Sequence, residues 1–201
     1  MHVLTRFALL GAFFLAAPSV AAQVAYGATL PDPDRTFETA DGSNVTLAEA
    51  AGEAGLAVIF WSNACPWASR YADRVVDLIE GYAPAGVGFV LVNANDPAQN
   101  ERETAAASRE HAAAAGLVAP YLVDASGDLA TAFGATSAPH VFFFGPAGTL
   151  LYDGAVDDSP ADMSRVQVPY LRQAMDQSIA GLAIEVQRTQ AFGCTIKRAG
   201  S

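Results

Sequence analysis

The sequence predicts an α/β domain built on a central mixed β-sheet flanked by helices. Three observations carry that expectation. The runs Leu56 to Trp61 and Val87 to Val92 are apolar without alternation, as in strands covered on both faces. Segments of helical period separate and follow them. Near the end, Val141 to Phe144, the turn Gly145-Pro146-Ala147-Gly148 and Thr149 to Tyr152 form a β-hairpin before one last helix, adding antiparallel pairing to a parallel order.

The elements follow in chain order. Gln23 to Asp34, with Pro31 and Pro33, reads as an extended arm. Asp41-Gly42-Ser43-Asn44 is a turn between short apolar stretches and predicts an N-terminal hairpin. After the first long strand, Pro66 to Tyr82 places Trp67, Tyr71, Val75, Leu78, Ile79 and Tyr82 at helical spacing. Pro66 suits a first helical turn, where its missing N–H costs nothing. Asn93-Ala94-Asn95-Asp96-Pro97 ends the second strand, and Glu101 to Ala115 is an Ala-rich helix with Gly116 as its C-terminal cap. Tyr121 to Val123 is a short strand, Asp128 to Phe133 a brief helix closed by Gly134, and Val168 to Ile179 the final helix.

The N-terminus reads differently. Met1 to Arg6 carries positive charge, Phe7 to Ala17 is apolar, and Pro18-Ser19-Val20-Ala21-Ala22 supplies small residues before a cut after Ala22. That is the layout of a secretory signal peptide, with an uncleaved anchor helix as the alternative. The expected division is a signal peptide over 1–22, a domain over 23–182 and a tail over 183–201. The destination is then the periplasm or the exterior, where disulfides persist. A net charge of −10 and no basic stripe exclude a nucleic-acid partner, whose phosphates need clustered Lys and Arg. No later segment has the length and apolarity of a membrane span. The histidines lack ligand spacing with either cysteine, so no metal and no cofactor are expected.

The chain has two cysteines, Cys65 and Cys194, enough for one disulfide. Cys65 falls where a strand turns into a helix. Unpaired N–H groups and the helix dipole favour a thiolate there. An inert buried thiol or a half-cystine is the plainer reading.

Phe60-Trp61-Ser62-Asn63-Ala64-Cys65, Phe133-Gly134-Ala135-Thr136-Ser137-Ala138-Pro139-His140 and the closing hairpin together resemble the thioredoxin superfamily. The match runs from about Gly27 to Gly181. The ending Phe192-Gly193-Cys194-Thr195-Ile196-Lys197 is similar to that of bacterial thioredoxin-like redoxins of the AhpC/TSA kind. The resemblance implies a thioredoxin-like fold and a cis bond before Pro139. It also implies an Ala138 backbone that presents itself to an extended substrate beside Cys65. Trp61 and Trp67 are candidates for a substrate rim, with core packing as the plainer reading; Arg70, one turn further along the helix, could support that rim by its charge, with a solvated surface arginine as the plainer reading. The implied activity is thiol oxidoreduction on a protein disulfide or a small peroxide, with a thiol reductant as partner.

The departures are specific. Ser62 stands where a thioredoxin has its attacking thiol, so exchange through residues 62 and 65 alone is impossible. Ser-x-x-Cys also resembles the peroxiredoxin corner, with Cys65 attacking peroxide and Ser62 as a hydrogen-bond partner, but Val58 stands where that pattern has proline. The buried acid of a thioredoxin's central strand falls at Leu56. Cys194 is then the candidate resolving thiol, or else half of a permanent staple; in sequence the two look identical. His140 could handle protons if it faces the sulfur. The alternative function is a non-catalytic module that holds a peptide in the cis-proline groove.

Overall fold

A computed structural model describes residues 24–200, and the expected signal peptide over 1–22 lies outside the described residues. Five strands form the central sheet: β3 (Gly55–Trp61), β4 (Val87–Asn93), β5 (Tyr121–Val123), β7 (His140–Phe144) and β8 (Leu150–Gly154). Their order is β5-β4-β3-β7-β8, with β3, β4 and β5 parallel and β7 and β8 antiparallel. The expected mixed sheet is therefore present.

The unbroken apolarity of β3 has a direct cause. Ala57, Ile59 and Trp61 enter one core, with Tyr71, Val75 and Leu78 of α2 (Pro66–Tyr82) and Leu171 and Met175 of α5 (Tyr170–Ile179). Leu56, Val58 and Phe60 enter a second core on the other face, with Leu129 and Phe133 of α4 (Asp128–Phe133). Both faces of β3 are covered, so every side chain along this strand is withdrawn from water and apolar residues are favoured throughout.

The hairpin of β1 (Thr36–Glu38) and β2 (Asn44–Thr46) forms around the expected turn. It leads into a short helix the sequence reading lacks, α1 (Leu47–Ala50). A capping box holds that helix: Glu49 N–H donates to Thr46 Oγ1 at 3.0 Å, and Thr46 N–H to Glu49 Oε2 at 2.8 Å. The expected helix from Glu101 is also interrupted. Thr104 is extended (φ −67°, ψ 159°) and caps α3 (Ala105–Ala115) by accepting from Ala107 N–H, so Glu101–Glu103 forms a separate 3-10 turn. A threonine hydroxyl competes for helix N–H groups and moves the helix start to itself. The last helix begins at Tyr170 and not at Val168, because Val168 precedes Pro169 and is kept out of the α region.

The tail is structured. Arg188 pairs with the buried Asp153 at 2.6 Å, and Thr189 N–H donates to the Asp153 carbonyl at 3.0 Å. Further on, β9 (Cys194–Thr195) pairs antiparallel with β6 (Ser137–Ala138), Ala138 opposite Cys194. Among the described residues no helix is long and apolar enough to cross a membrane.

Candidate active site

Cys65 is the N-cap of α2, with Pro66 at the first helical position and no side chain capping the helix end. Its sulfur is bonded to that of Cys194, 129 residues away, with the Cα atoms 5.9 Å apart. Cys65 is 2% exposed. Its Sγ lies 3.3 Å from the Ala138 carbonyl oxygen, a close approach that becomes an S–H···O bond only when the disulfide is reduced. Cys194 is partly exposed.

The Ala138–Pro139 bond is cis, and it turns the Ala138 backbone towards Cys65. That backbone is already paired: β9 lies along it, with Cys194 directly opposite. The approach is close enough to require glycine next to the cysteine. A Cβ on Gly193 would sit 2.1 Å from the Ala138 oxygen.

Ser62 is 5% exposed, and its hydroxyl donates to Glu103 Oε1 at 2.6 Å. Its one proton is committed to that carboxylate. Glu103, 3% exposed, also accepts from Ala64 N–H and Asn63 N–H, both at 3.1 Å, and from Asn93 Nδ2 at 3.0 Å. One buried carboxylate thus stitches residues 62–64 into the turn that presents Cys65. Asn63 extends the stitching, donating to Ser108 Oγ at 2.8 Å and accepting from Tyr121 OH at 2.8 Å. Burial first, and then the Glu103 charge, holds the Tyr121 phenol well above its usual range. Leu56 is apolar and buried, as expected, so the acid at this corner comes from another element. Sequence reading placed Glu103 inside a helix and missed it; Thr104 as a helix cap was the available signal.

Trp61 corrects the expected substrate rim. It is 0% exposed, and its Nε1–H donates to His111 Nε2 at 3.1 Å. A strand residue whose face is covered by α2 packs and does not meet solvent. Burial depresses the His111 pKa, in keeping with a neutral ring that accepts this bond. Trp67 is partly exposed, with the Phe192 ring edge-on at 4.8 Å and the Arg70 guanidinium 5.6 Å from its ring centre. His140 pairs in register with Phe60 and stacks on Phe142 at 4.4 Å, on the sheet face opposite Trp61 and Cys65. Burial, and then the Arg188 charge, lowers its pKa to about 4.

A cavity of about 230 Å³ opens onto the disulfide, lined by both cysteines, Ser62 and Glu103, and by Asn95, Asp96, Arg102 and Lys197. A disulfide at an uncapped helix N-terminus, beside a cis-proline and open to a polar cavity, is suited to thiol–disulfide exchange.

The comparisons agree with this architecture. The redoxin family pattern matches residues 25–167, and the chain belongs to the redoxin family. A hypothetical protein, SMc02350 of Sinorhizobium meliloti 1021, is 30% identical with a TM-score of 0.82, covering 90% of this chain and 98% of that one. A conserved protein from Geobacillus kaustophilus is 28% identical with a TM-score of 0.82, covering 89% and 95%. A secreted Mycobacterium tuberculosis disulfide oxidoreductase homologous to Escherichia coli DsbE shares the fold at 16% identity and a TM-score of 0.54, covering 75% and 98%. No curated protein matches the chain.

Proposed function

We propose that this redoxin is an exported thiol–disulfide oxidoreductase whose redox pair is Cys65 and Cys194. The observation that carries the reading is the Cys65–Cys194 bond itself, formed at the N-cap of α2 beside cis-Pro139. The position left empty of sulfur by Ser62 is compensated by the tail, which brings the second thiol across 129 residues. Exchange is favoured over peroxide reduction because the Ser62 proton is held by Glu103. A peptide-holding role is disfavoured because β9 occupies the strand edge such a peptide would use. Export rests on the N-terminal sequence alone, in an arrangement compatible with a stable disulfide.

The test is the reduction potential of the native protein, read by alkylation and mass after equilibration in thiol buffers. An exchange pair lies between about −120 and −270 mV; a value below about −300 mV assigns the bond to a structural staple.

A further inference from the structure

Two sulfurs could meet the partner, and burial separates them. We propose that Cys194 Sγ is the sulfur that exchanges, and that its partner is a small hydrophilic thiol carrying a carboxylate, admitted through the polar cavity. This rests on the exchange reading above.

The position that would bear an outward thiol in a Cys-x-x-Cys corner is Ser62, which is 5% exposed and tied to Glu103. Cys65 is 2% exposed and lies against the Ala138 carbonyl. Cys194, contributed by the tail, is the less buried of the two half-cystine residues, and it lines the polar cavity. The roles expected from the corner alone are thereby exchanged between the two cysteines. The chemistry runs the same way. A partner thiolate attacks Cys194 Sγ; a partner–Cys194 bond forms, the Cys65–Cys194 bond breaks, and the electron pair stays on Cys65 Sγ. That leaving group sits at an uncapped helix N-terminus, where amide N–H groups and the dipole stabilise an anion, and a more stable thiolate leaves faster. A second partner thiolate then attacks the partner sulfur of the mixed disulfide and releases Cys194 as thiolate. Two partner thiols are oxidised to one disulfide, and the protein disulfide is reduced to two thiols.

The partner's class follows from what is already occupied. An extended polypeptide would recognise the Ala138 edge, and β9 fills it. The remaining approach is the cavity of about 230 Å³, which suits a molecule of amino-acid to short-peptide size. Its lining includes Arg102 and Lys197 as basic residues and Asp96 and Glu103 as acidic ones. Glu103 is taken up by the Ser62, Asn63 and Ala64 donors, and the Arg102 guanidinium donates to the Ala64 carbonyl at 2.8 Å, which leaves Lys197 as the cation offered to a partner carboxylate. Lys197 is fixed there by its backbone: its N–H donates to Asn95 Oδ1 at 3.0 Å, and its carbonyl accepts from Asp96 N–H at 2.7 Å. A zwitterionic thiol complements that lining; a neutral thiol does not.

The probes are reduced glutathione, neutral 2-mercaptoethanol and a reduced thioredoxin, used on the full mature chain. The native disulfide should open faster with glutathione than with thioredoxin at equal thiolate concentration. Lys197→Ala should slow the glutathione reaction about threefold, leave 2-mercaptoethanol unchanged, and be rescued by Lys197→Arg. With glutathione disulfide as probe, Cys65→Ser should become glutathionylated at Cys194 at least tenfold faster than Cys194→Ser does at Cys65. Faster modification of Cys65, or faster opening by thioredoxin with no preference for glutathione over 2-mercaptoethanol, overturns the proposal while the exchange reading stands. A native disulfide that resists every thiol, dithiothreitol included, overturns both.

Discussion

Glu103→Ala tests whether one carboxylate builds the corner that presents Cys65. The side chain is 3% exposed and accepts four hydrogen bonds of 2.6–3.1 Å, from Ser62, Asn63, Ala64 and Asn93. A hydrogen bond to a charged group contributes about 1.5–3 kcal/mol net. Four of them would sum to well above the expected loss, for two reasons. Truncation relieves the desolvation of a buried carboxylate, and water can enter from the adjoining cavity to meet some of the orphaned donors. The expected cost is about 3–5 kcal/mol, which corresponds to a fall in Tm of roughly 6–20 °C for a domain of this size. Guanidinium unfolding of the oxidised protein, compared with Glu103→Gln, measures it. The Gln variant keeps one acceptor but turns an NH2 group towards donors, so its loss should fall between wild type and Ala. If the Ala variant unfolds within about 1 kcal/mol of wild type, the corner is held by something other than this carboxylate, and the assignment fails.

Three further outcomes follow from other parts of the fold. Gly193→Ala brings a Cβ to 2.1 Å from the Ala138 oxygen; the tail strand must lift, at about 1–3 kcal/mol, and limited proteolysis should cleave the tail faster than in wild type. Asp157→Ala strands the Arg74 guanidinium, 8% exposed and held by both Asp157 oxygens at 2.7 and 2.9 Å; urea unfolding should report a loss near the lower end of about 3–5 kcal/mol, because the Ser159 and Pro160 carbonyls still accept from it. His140 gives an acid limb. Its folded pKa, about 4, lies below the usual 6.5, so the unfolded chain binds the extra proton between those values. Stability is therefore full above pH 6.5 and falls as pH drops towards 4, by up to about 3 kcal/mol. His140→Phe should flatten that window in a stability–pH profile, and an unchanged slope would assign the acid sensitivity elsewhere.

The fold was legible because its signals are local. A strand buried on both faces must be apolar throughout, so Leu56 to Trp61 announced itself, and Pro66 and Gly116 marked helix ends by backbone chemistry that needs no tertiary context. The site was legible only in its covalent part. Cys65 stood at a strand-to-helix junction, and Ala138-Pro139 carried the groove. Whether Trp61 faced water depended on strand alternation relative to α2, and a continuous apolar run has no alternation to read. Glu103 depended on Thr104 stopping a helix and turning a carboxylate inward, a competition decided by side-chain packing around Asn93 and Ser62. The pairing of β9 with β6 joins segments more than 50 residues apart, and the two-residue strand Cys194-Thr195 has too little pattern to predict any partner.

The tail's attachment decides how so distant a pair could serve the exchange proposed above. In the unfolded chain, closing a loop with a separation of 129 residues costs about 5 kcal/mol in the chain-entropy model. In the folded chain that search has already been done by bonds that involve no sulfur. Upstream, Thr189 Oγ1 accepts from Ala155 N–H at 2.9 Å and Arg188 grips Asp153; downstream, Ile196 N–H donates to the Thr136 carbonyl at 3.0 Å. Only Gln190 to Thr195 lie between the anchors, so a reduced Cys194 explores a short segment and stays beside Cys65. Its effective concentration is then that of a local thiol pair, not of a chain terminus. By linkage, whatever the disulfide adds to the stability of the fold, the fold adds to the stability of the disulfide. Loosening an anchor must therefore move both together: Arg188→Ala should lower the unfolding free energy and raise the reduction potential of a bond it never touches. A shift in one without the other would mean that the tail is held by its sulfur alone.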